Sequence, residues 1–499
     1  MDFLMSFVIG LCLFWILIKA FHIIPRSKAT HSKLPPGPKP FPVIGNLLEL
    51  GDKPHRSLTK LAKLHGPIMT LKLGRVTTIV ISSADMAKEV LQTHDQILSN
   101  RTVPDAVRVH EHDKFGLPWI PVSSQWRNLR KICNGQLFSN TALDANQDIR
   151  RKKVQELLAE TRQSSLSGEA VNIGRAAFKT TLNMLSNTIL SVDLADPNSE
   201  VAKKFKEIVW NIMKEVGKPN IADYFPVLHK LDPQGIRQRL TVNFGKMTDL
   251  FAHMIRERMQ LRKVSGFVTN SDMLDTLLNF SEENSEKLDK TLMEHFFLDL
   301  FAAGTDTTSA TLEWAMAELL RNPRALSKAK LELEQVIGEG HPVEEWDISR
   351  LPYLQAIVKE TFRLHPSVPL LLPRKAEADV EINGYIIPKG AQVLVNAWAI
   401  GRDSSLWENA NSFMPERFLG SDVDVKGRNF ELIPFGSGRR ICPGLPLAIR
   451  VLHSMLGSLI HTFDWKLEDG VKREDMNMEE KFGITLQRAH PLRAVPIPL

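Results

Sequence analysis

The densest chemistry in this chain lies in one stretch, Phe435-Gly436-Ser437-Gly438-Arg439-Arg440-Ile441-Cys442-Pro443-Gly444. A cysteine sulfur ligates a metal as the thiolate, so its surroundings must stabilise negative charge. Gly436 and Gly438 let the backbone turn close against a flat ligand, and Gly444 allows a tight exit into a following helix. Backbone N–H groups in such a loop can point at the sulfur and tune its electron donation. The guanidinium of Arg440 suits a carboxylate. Alone, Cys442 would read as a buried structural residue. Within this decapeptide it reads as a metal ligand.

A second constellation is Ala303-Gly304-Thr305-Asp306-Thr307-Thr308, inside a long apolar-periodic stretch. A glycine followed by short polar and β-branched residues makes a poor helix interior. Threonine hydroxyls there can bond back to a carbonyl and loosen the helical ladder, opening a groove for dioxygen and water. Asp306 and Thr307 could relay protons into that groove, a general-acid task. The plainer reading is a helix N-cap, but helical periodicity continues on both sides. Glu360 and Arg363 stand at i, i+3 and can pair on one helix face, a spacing that is common at surfaces.

The loop around Cys442 resembles the haem-binding loop of the haem-thiolate monooxygenases, the cytochrome P-450 superfamily. All fixed positions are present at Phe435, Gly438, Arg440, Cys442 and Gly444. Other family motifs follow in order over nearly the whole chain. The resemblance implies a mainly α fold with a minor β part, the cytochrome P-450 fold, with haem b ligated by Cys442. It implies that Asp306 and Thr307 form the oxygen-activation site. It also implies that Glu360 and Arg363 lock with Arg417 to hold the fold around the haem. Trp126 and Arg130 match a family helix that holds a haem propionate, and Arg374 resembles a third propionate partner. His365, beside the same helix as Glu360, is read as structural because the thiolate already supplies the protein's axial ligand. Electrons would come from NADPH through a membrane-bound cytochrome P-450 reductase, since no flavin or dinucleotide motif occurs here. Arg127, Lys131 and Arg439 are expected to meet it.

More narrowly, residues 34–46, 370–376, 396–403 and 478–496 resemble the plant microsomal subfamily that contains geraniol 8-hydroxylase. The implied reaction is hydroxylation of a small terpenoid. Its leading form is attack on the terminal allylic methyl (C8) of an acyclic monoterpene alcohol such as geraniol or linalool, with further oxidation to the aldehyde or acid left open. A sesquiterpene, diterpene or other plant metabolite is the alternative substrate. A haem isomerase or dehydratase that does not activate oxygen is the alternative class. Ala302, Ala303, Val368, Leu371 and Ile484 align with the family's substrate-contact segments, and each could equally be ordinary core.

These residues need elements to position them. Residues 68–73 alternate and residues 77–82 are β-rich, which predicts a hairpin. Helical periodicity dominates residues 84–335, notably 85–93, 146–166, 201–216 and 289–320. The polar stretch 262–290 is expected to contain a loop. Strand character returns over 377–395, with turns at Asn383-Gly384 and Lys389-Gly390, and a last helix is expected near 446–461.

The chain has 499 residues, 43% hydrophobic and 24% charged, a globular composition. Its net charge of +6 is spread without a long basic tract, which argues against nucleic-acid binding. Cys12, Cys133 and Cys442 are far apart and odd in number, so they form neither a disulfide framework nor a zinc pattern. Cys12 and Cys133 are read as filler.

Residues 3–18 carry no charge, and extension to Ile24 gives about 33 Å of helix, enough to span if Lys19 snorkels. Asp2 and the poor cleavage site at 21–25 argue for a retained anchor over a signal peptide. The basic flank Lys19, Arg26, Lys28 and Lys33 places the body in the cytosol. The expected organisation is an anchor over 1–24 in the endoplasmic reticulum membrane, a basic and proline-rich hinge over 25–40, and one catalytic haem domain over 41–499.

Overall fold

The alternation from Ile68 produces β1 (Ile68–Leu73), antiparallel to β2 (Val76–Ile81), with Ile68 opposite Ile81 and Leu73 opposite Val76. The structure is a computed structural model and describes residues 33–195, 200–264, 272–283, 288–468 and 470–499. The strands that follow are β3 (Asn100–Arg101), β4 (Val171–Asn172), β5 (Arg374–Lys375), β6 (Val380–Ile382), β7 (Tyr385–Ile387), β8 (Gln392–Val395), β9 (Phe463–Leu467), β10 (Glu480–Lys481), β11 (Gln487–Arg488) and β12 (Arg493–Pro498). The largest sheet runs β1-β2-β8-β5-β3, with β2 and β8 parallel. The β6–β7 hairpin turns at Asn383 and Gly384, whose φ values of 52° and 76° are left-handed, as the Asn-Gly pair predicts.

The longer helices are α1 (Pro54–His65), α2 (Ser124–Ile132), α3 (Gln147–Ser167), α4 (Ile173–Leu190), α5 (Glu200–Val216), α6 (Ile236–Leu261), α7 (Met273–Glu283), α8 (Lys290–Arg321), α9 (Pro323–Ile337), α10 (Pro352–Leu364) and α11 (Leu445–Thr462). α8 is the spine. Its first half packs Phe296, Phe297 and Phe301 into one apolar core with α4, α5 and α6. Its second half packs Leu312, Met316 and Leu319 into another with α9, α10 and α11. A helix buried on nearly all sides has no solvent face for its polar residues, so His295, Asp299, Glu313 and Glu318 of α8 are buried and each finds a hydrogen-bond partner.

Two expectations gain detail. The stretch 262–290 also holds a helix, α7, which buries Leu274, Leu277 and Leu278. Residues 85–93 are helical, but of two kinds. An α-helical turn over Ala84–Lys88 widens into a π-helical turn at Glu89–Thr93.

The proline strap at 35–38 lies on β1. Thr70 donates its N–H to the carbonyl of Pro36 at 2.8 Å, and a Cβ on Gly37 would fall 1.9 Å from the carbonyl oxygen of Thr70. Glycine is what lets the two backbones meet. The expected anchor over 1–24 and the hinge up to residue 32 lie outside the described residues. Among the described residues no helix is long and apolar enough to cross a membrane.

Candidate active site

Cys442 sits in the turn that leads into α11. Its N–H donates to the carbonyl of Phe435 at 3.0 Å, and its sulfur accepts from the backbone N–H groups of Gly444 and Leu445. Burial pushes the thiol up, and those two donors and the nearby Arg130 pull it down. A coordinating metal deprotonates a thiol outright, so a thiol raised by burial is compatible with ligation. The Cys442 side chain is nonetheless exposed, although polypeptide surrounds it closely enough to desolvate the thiol. Gly438, at φ 69°, has its Cα where a Cβ would meet the carbonyl oxygen of Leu91 at 2.0 Å. Gly444 would place a Cβ 3.8 Å from the sulfur. Phe435 packs edge-on against Phe362 of α10, with centroids 5.0 Å apart. Cys133, by contrast, is fully buried, and burial pushes its thiol up to about 12. It has the inert character of a structural cysteine.

Four arginines converge beside this loop. Arg440 donates to the carbonyls of Ser99, Leu117 and Ile120 at 2.9, 3.2 and 2.6 Å. Arg374 reaches the carbonyls of Leu98 and Ser437. Arg130 donates to the carbonyl of Ile441 at 2.8 Å. The fourth, Arg101, was not singled out from the sequence. It donates to the carbonyls of Pro118 and Leu372. Trp126 lies under two of them, 4.9 Å from Arg440 and 5.8 Å from Arg130.

Burial, then mutual repulsion, lowers Arg440 to about 9. Arg101 is lowered well below its usual value by burial, then by Arg374 and Arg440. Burial lowers Arg374 to about 10, and Asp95 offsets it in part. Guanidinium groups stay protonated in proteins, so the cluster is an excess of partly buried positive charge that an anionic ligand would relieve. A thiolate loop next to a cationic cradle for carboxylates fits haem and its two propionates. Arg439, expected as a docking cation, is exposed but paired with Asp95 at 3.2 Å. Arg127 and Lys131 are exposed on α2.

The polar segment of α8 does not break the helix. Five hydroxyls are bonded back one turn: Thr305 to Phe301, Thr307 to Ala303, Thr308 to Gly304, Ser309 to Thr305 and Thr311 to Thr307, at 2.7 to 3.0 Å. The expected loosened groove is therefore a continuous helix whose hydroxyls are held on its own carbonyls. Gly304 serves packing, since a Cβ there would meet Leu185 of α4 at 2.8 Å. Ala303 is exposed and Thr307 half-buried, on the open side of an otherwise buried helix. Neighbouring Asp306 is buried and accepts from Gln487 at 2.7 Å. Burial pushes its carboxyl up, while hydrogen bonds from Thr485 and Gln487 pull it down.

Ser367 ties the segment after α10 to this turn, donating to the carbonyl of Thr307 at 3.2 Å and lying 2.8 Å from the hydroxyl of Thr311. Val368 and Leu371, both half-buried, follow it. Leu371 has a φ of 49°, an unusual conformation for a branched residue, and its side chain reaches towards Gly436. Ala302 differs from its neighbour Ala303, lining a small apolar cavity with Val209, Ile212 and Phe301. Ile484 is half-buried at the tip of the β10–β11 hairpin.

Glu360 and Arg363 are both buried, with two hydrogen bonds of 2.6 and 2.7 Å, and Arg417 joins Glu360 at 3.1 Å. His365 stacks on Trp314 at 3.9 Å and bonds Glu318 at 2.7 Å, a packing role. Its imidazole is lowered by burial, against the pull of Glu318.

Residues 35–491 match the family described as Cytochrome P450. The chain belongs to that family and is a haem-thiolate monooxygenase, with the thiolate supplied by cysteine and electrons drawn from NADPH through a reductase. It is 57% identical over its full length, and theirs, to proteins named geraniol 8-hydroxylase from Swertia mussotii and Catharanthus roseus. It is 54% identical to drimenol monooxygenase of Persicaria hydropiper, over 95% of this chain and 94% of that one.

Proposed function

We propose that this enzyme hydroxylates a small terpenoid, with an acyclic monoterpene alcohol oxidised at its terminal allylic methyl as the leading substrate. The observation that carries the reading is full-length identity of 57% to two geraniol 8-hydroxylases. The apolar side chains Ala303, Val368, Leu371 and Ile484 support it, because small-molecule sites are mostly apolar with a few placed polar groups. Bound haem supplies dioxygen activation, which the thiolate favours. Each turnover consumes one dioxygen, two electrons and two protons, inserts one oxygen into a C–H bond and releases the other as water. In this reading Cys442 is the iron ligand. Arg101, Arg130, Arg374 and Arg440, with Trp126, hold the propionates. Asp306 and Thr307 deliver the protons, and Glu360, Arg363 and Arg417 lock the fold. Residues 1–24 anchor a cytosol-facing haem domain, 41–499, to the endoplasmic reticulum through a hinge at 25–40. The exposed Arg127 and Lys131 meet the reductase.

The test is turnover of geraniol, linalool and a sesquiterpene alcohol by purified enzyme with reductase and NADPH, with products identified by NMR. Geraniol is expected to give the 8-hydroxy product. If neither acyclic alcohol is oxidised at a terminal methyl while the sesquiterpene turns over, the monoterpene assignment is wrong. Within the same assay, Ile484→Ala is expected to redistribute the positional isomers, with the reduced carbon monoxide spectrum unchanged. An unchanged isomer ratio would remove Ile484 from the substrate contacts.

A further inference from the structure

The β10–β11 hairpin is tied both to α1 and to the helix that carries Asp306. Its base is clamped by Glu480, a buried carboxylate that accepts from His55 and Arg56 of α1 and from Trp398 at 3.0, 2.6 and 3.0 Å. These donors outweigh burial and hold the Glu480 carboxyl far below the usual range. Its far limb is held to α8 and to the segment after α10. Trp314 donates its indole N–H to the carbonyl of Leu486 at 3.2 Å, and the Leu486 N–H donates to the carbonyl of Ser367 at 2.8 Å. Its tip lies against α5's end, where a Cβ on Gly217 would meet the backbone nitrogen of Ile484 at 2.9 Å. Between these anchors, Thr485 and Gln487 turn inward onto Asp306.

We propose that Gln487, with Thr485, is a positioning residue for Asp306: donating from a hairpin anchored at both ends, it fixes the orientation of the carboxyl that hands protons towards the substrate. This rests on the proton-delivery role given to Asp306 above. The physical argument is geometric. Asp306 is 4% exposed, and a buried carboxyl with few partners can turn between rotamers unless a donor fixes one. Gln487 donates to Asp306 at 2.7 Å, and it comes from an element whose own position is fixed by Glu480 and Trp314. Since Thr485 and Gln487 also pull the carboxyl down against burial, their loss leaves the proton held more tightly. The same hairpin carries Ile484, so the substrate contact and the acid share one support.

The experiment compares Gln487→Leu, Asp306→Asn and the double variant in the haem-loaded enzyme. The readouts are product formed per NADPH oxidised, peroxide released and thermal unfolding midpoint. Gln487→Leu is expected to lower product per NADPH about 10-fold with peroxide rising, a fraction of the ~10²–10⁴-fold that a positioned general acid contributes. The substrate-induced spectral shift should be unchanged. The double variant should be no worse than Asp306→Asn, and the unfolding midpoints should be non-additive, since residues in direct contact couple. A wild-type ratio in Gln487→Leu, or additive losses in both ratio and midpoint, overturns the positioning role and leaves that of Asp306 intact. A wild-type ratio in Asp306→Asn overturns the proton-delivery reading itself. The two failures are thereby distinguished.

Discussion

Cys442→Ala is expected to abolish NADPH-supported oxygenation and the thiolate-type absorption of the reduced carbon monoxide complex. The reasoning starts from the loop. The sulfur accepts two backbone N–H bonds, from Gly444 and Leu445, in a turn fixed by the Cys442–Phe435 bond and by glycines with little freedom to change. No other described cysteine can substitute, because Cys133 is fully buried and inert. The arginine cradle is untouched by the substitution, so a porphyrin can still be retained through its carboxylates. Cys442→Ser separates ligation from packing, since it keeps the size and the hydrogen-bonding loop while replacing the soft donor with a hard one. Both variants should keep wild-type circular dichroism, because Cys442 contributes little to either apolar core. The measurement is the reduced carbon monoxide spectrum beside a turnover assay with reductase. Retention of both in Cys442→Ala would mean that the iron ligand lies elsewhere.

Local chemistry was legible in the sequence and distributed chemistry was not. The loop around Cys442 could be read because ligand, glycines and Arg440 lie within ten consecutive residues. Asp306 and Thr307 stood out as candidates because they share one helical turn. Gln487 lies 181 residues from Asp306 and His55 lies 425 residues from Glu480. No periodicity links residues that meet only when the chain has folded. Arg101 was missed for a related reason. It sits in a two-residue strand with no helical or strand pattern around it, and it meets Arg374 and Arg440 from two other elements only in the folded chain. Helix α7 was hidden by its polar surroundings, although Leu274, Leu277 and Leu278 carry the i, i+3, i+4 spacing. Gly304 gave the opposite error. Its composition suggested a weakened helix, but tertiary packing against Leu185 overrides propensity there.

The second large effect is structural. Arg363→Ala is expected to destabilise the fold by ~3–5 kcal/mol, the cost of leaving one partner of a buried ion pair uncompensated. Arg363 satisfies more than Glu360. It donates to the carbonyls of Gly401, Ala410 and Ser412 at 2.6, 2.6 and 3.0 Å, stitching α10 to the segment that precedes the cysteine loop. Its loss strands those carbonyls together with the Glu360 carboxylate, which would keep only Arg417 and the Met414 N–H. Phe362, the neighbour of Arg363 on α10, packs on Phe435, so a shift of this helix passes directly to the haem loop. Arg363→Lys should rescue only part of the loss, because an ammonium cannot reproduce the bidentate fork or reach three carbonyls. The expected measurements are a lower thermal midpoint, a smaller yield of carbon monoxide-reactive enzyme and, in the molecules that do load haem, turnover per haem close to wild type. That last reading separates a lock from a catalytic group. A wild-type midpoint and yield in Arg363→Ala would show that the pair contributes nothing net, as buried pairs sometimes do when hydrophobic packing suffices. Wild-type stability with slow turnover would instead move Arg363 into the chemistry.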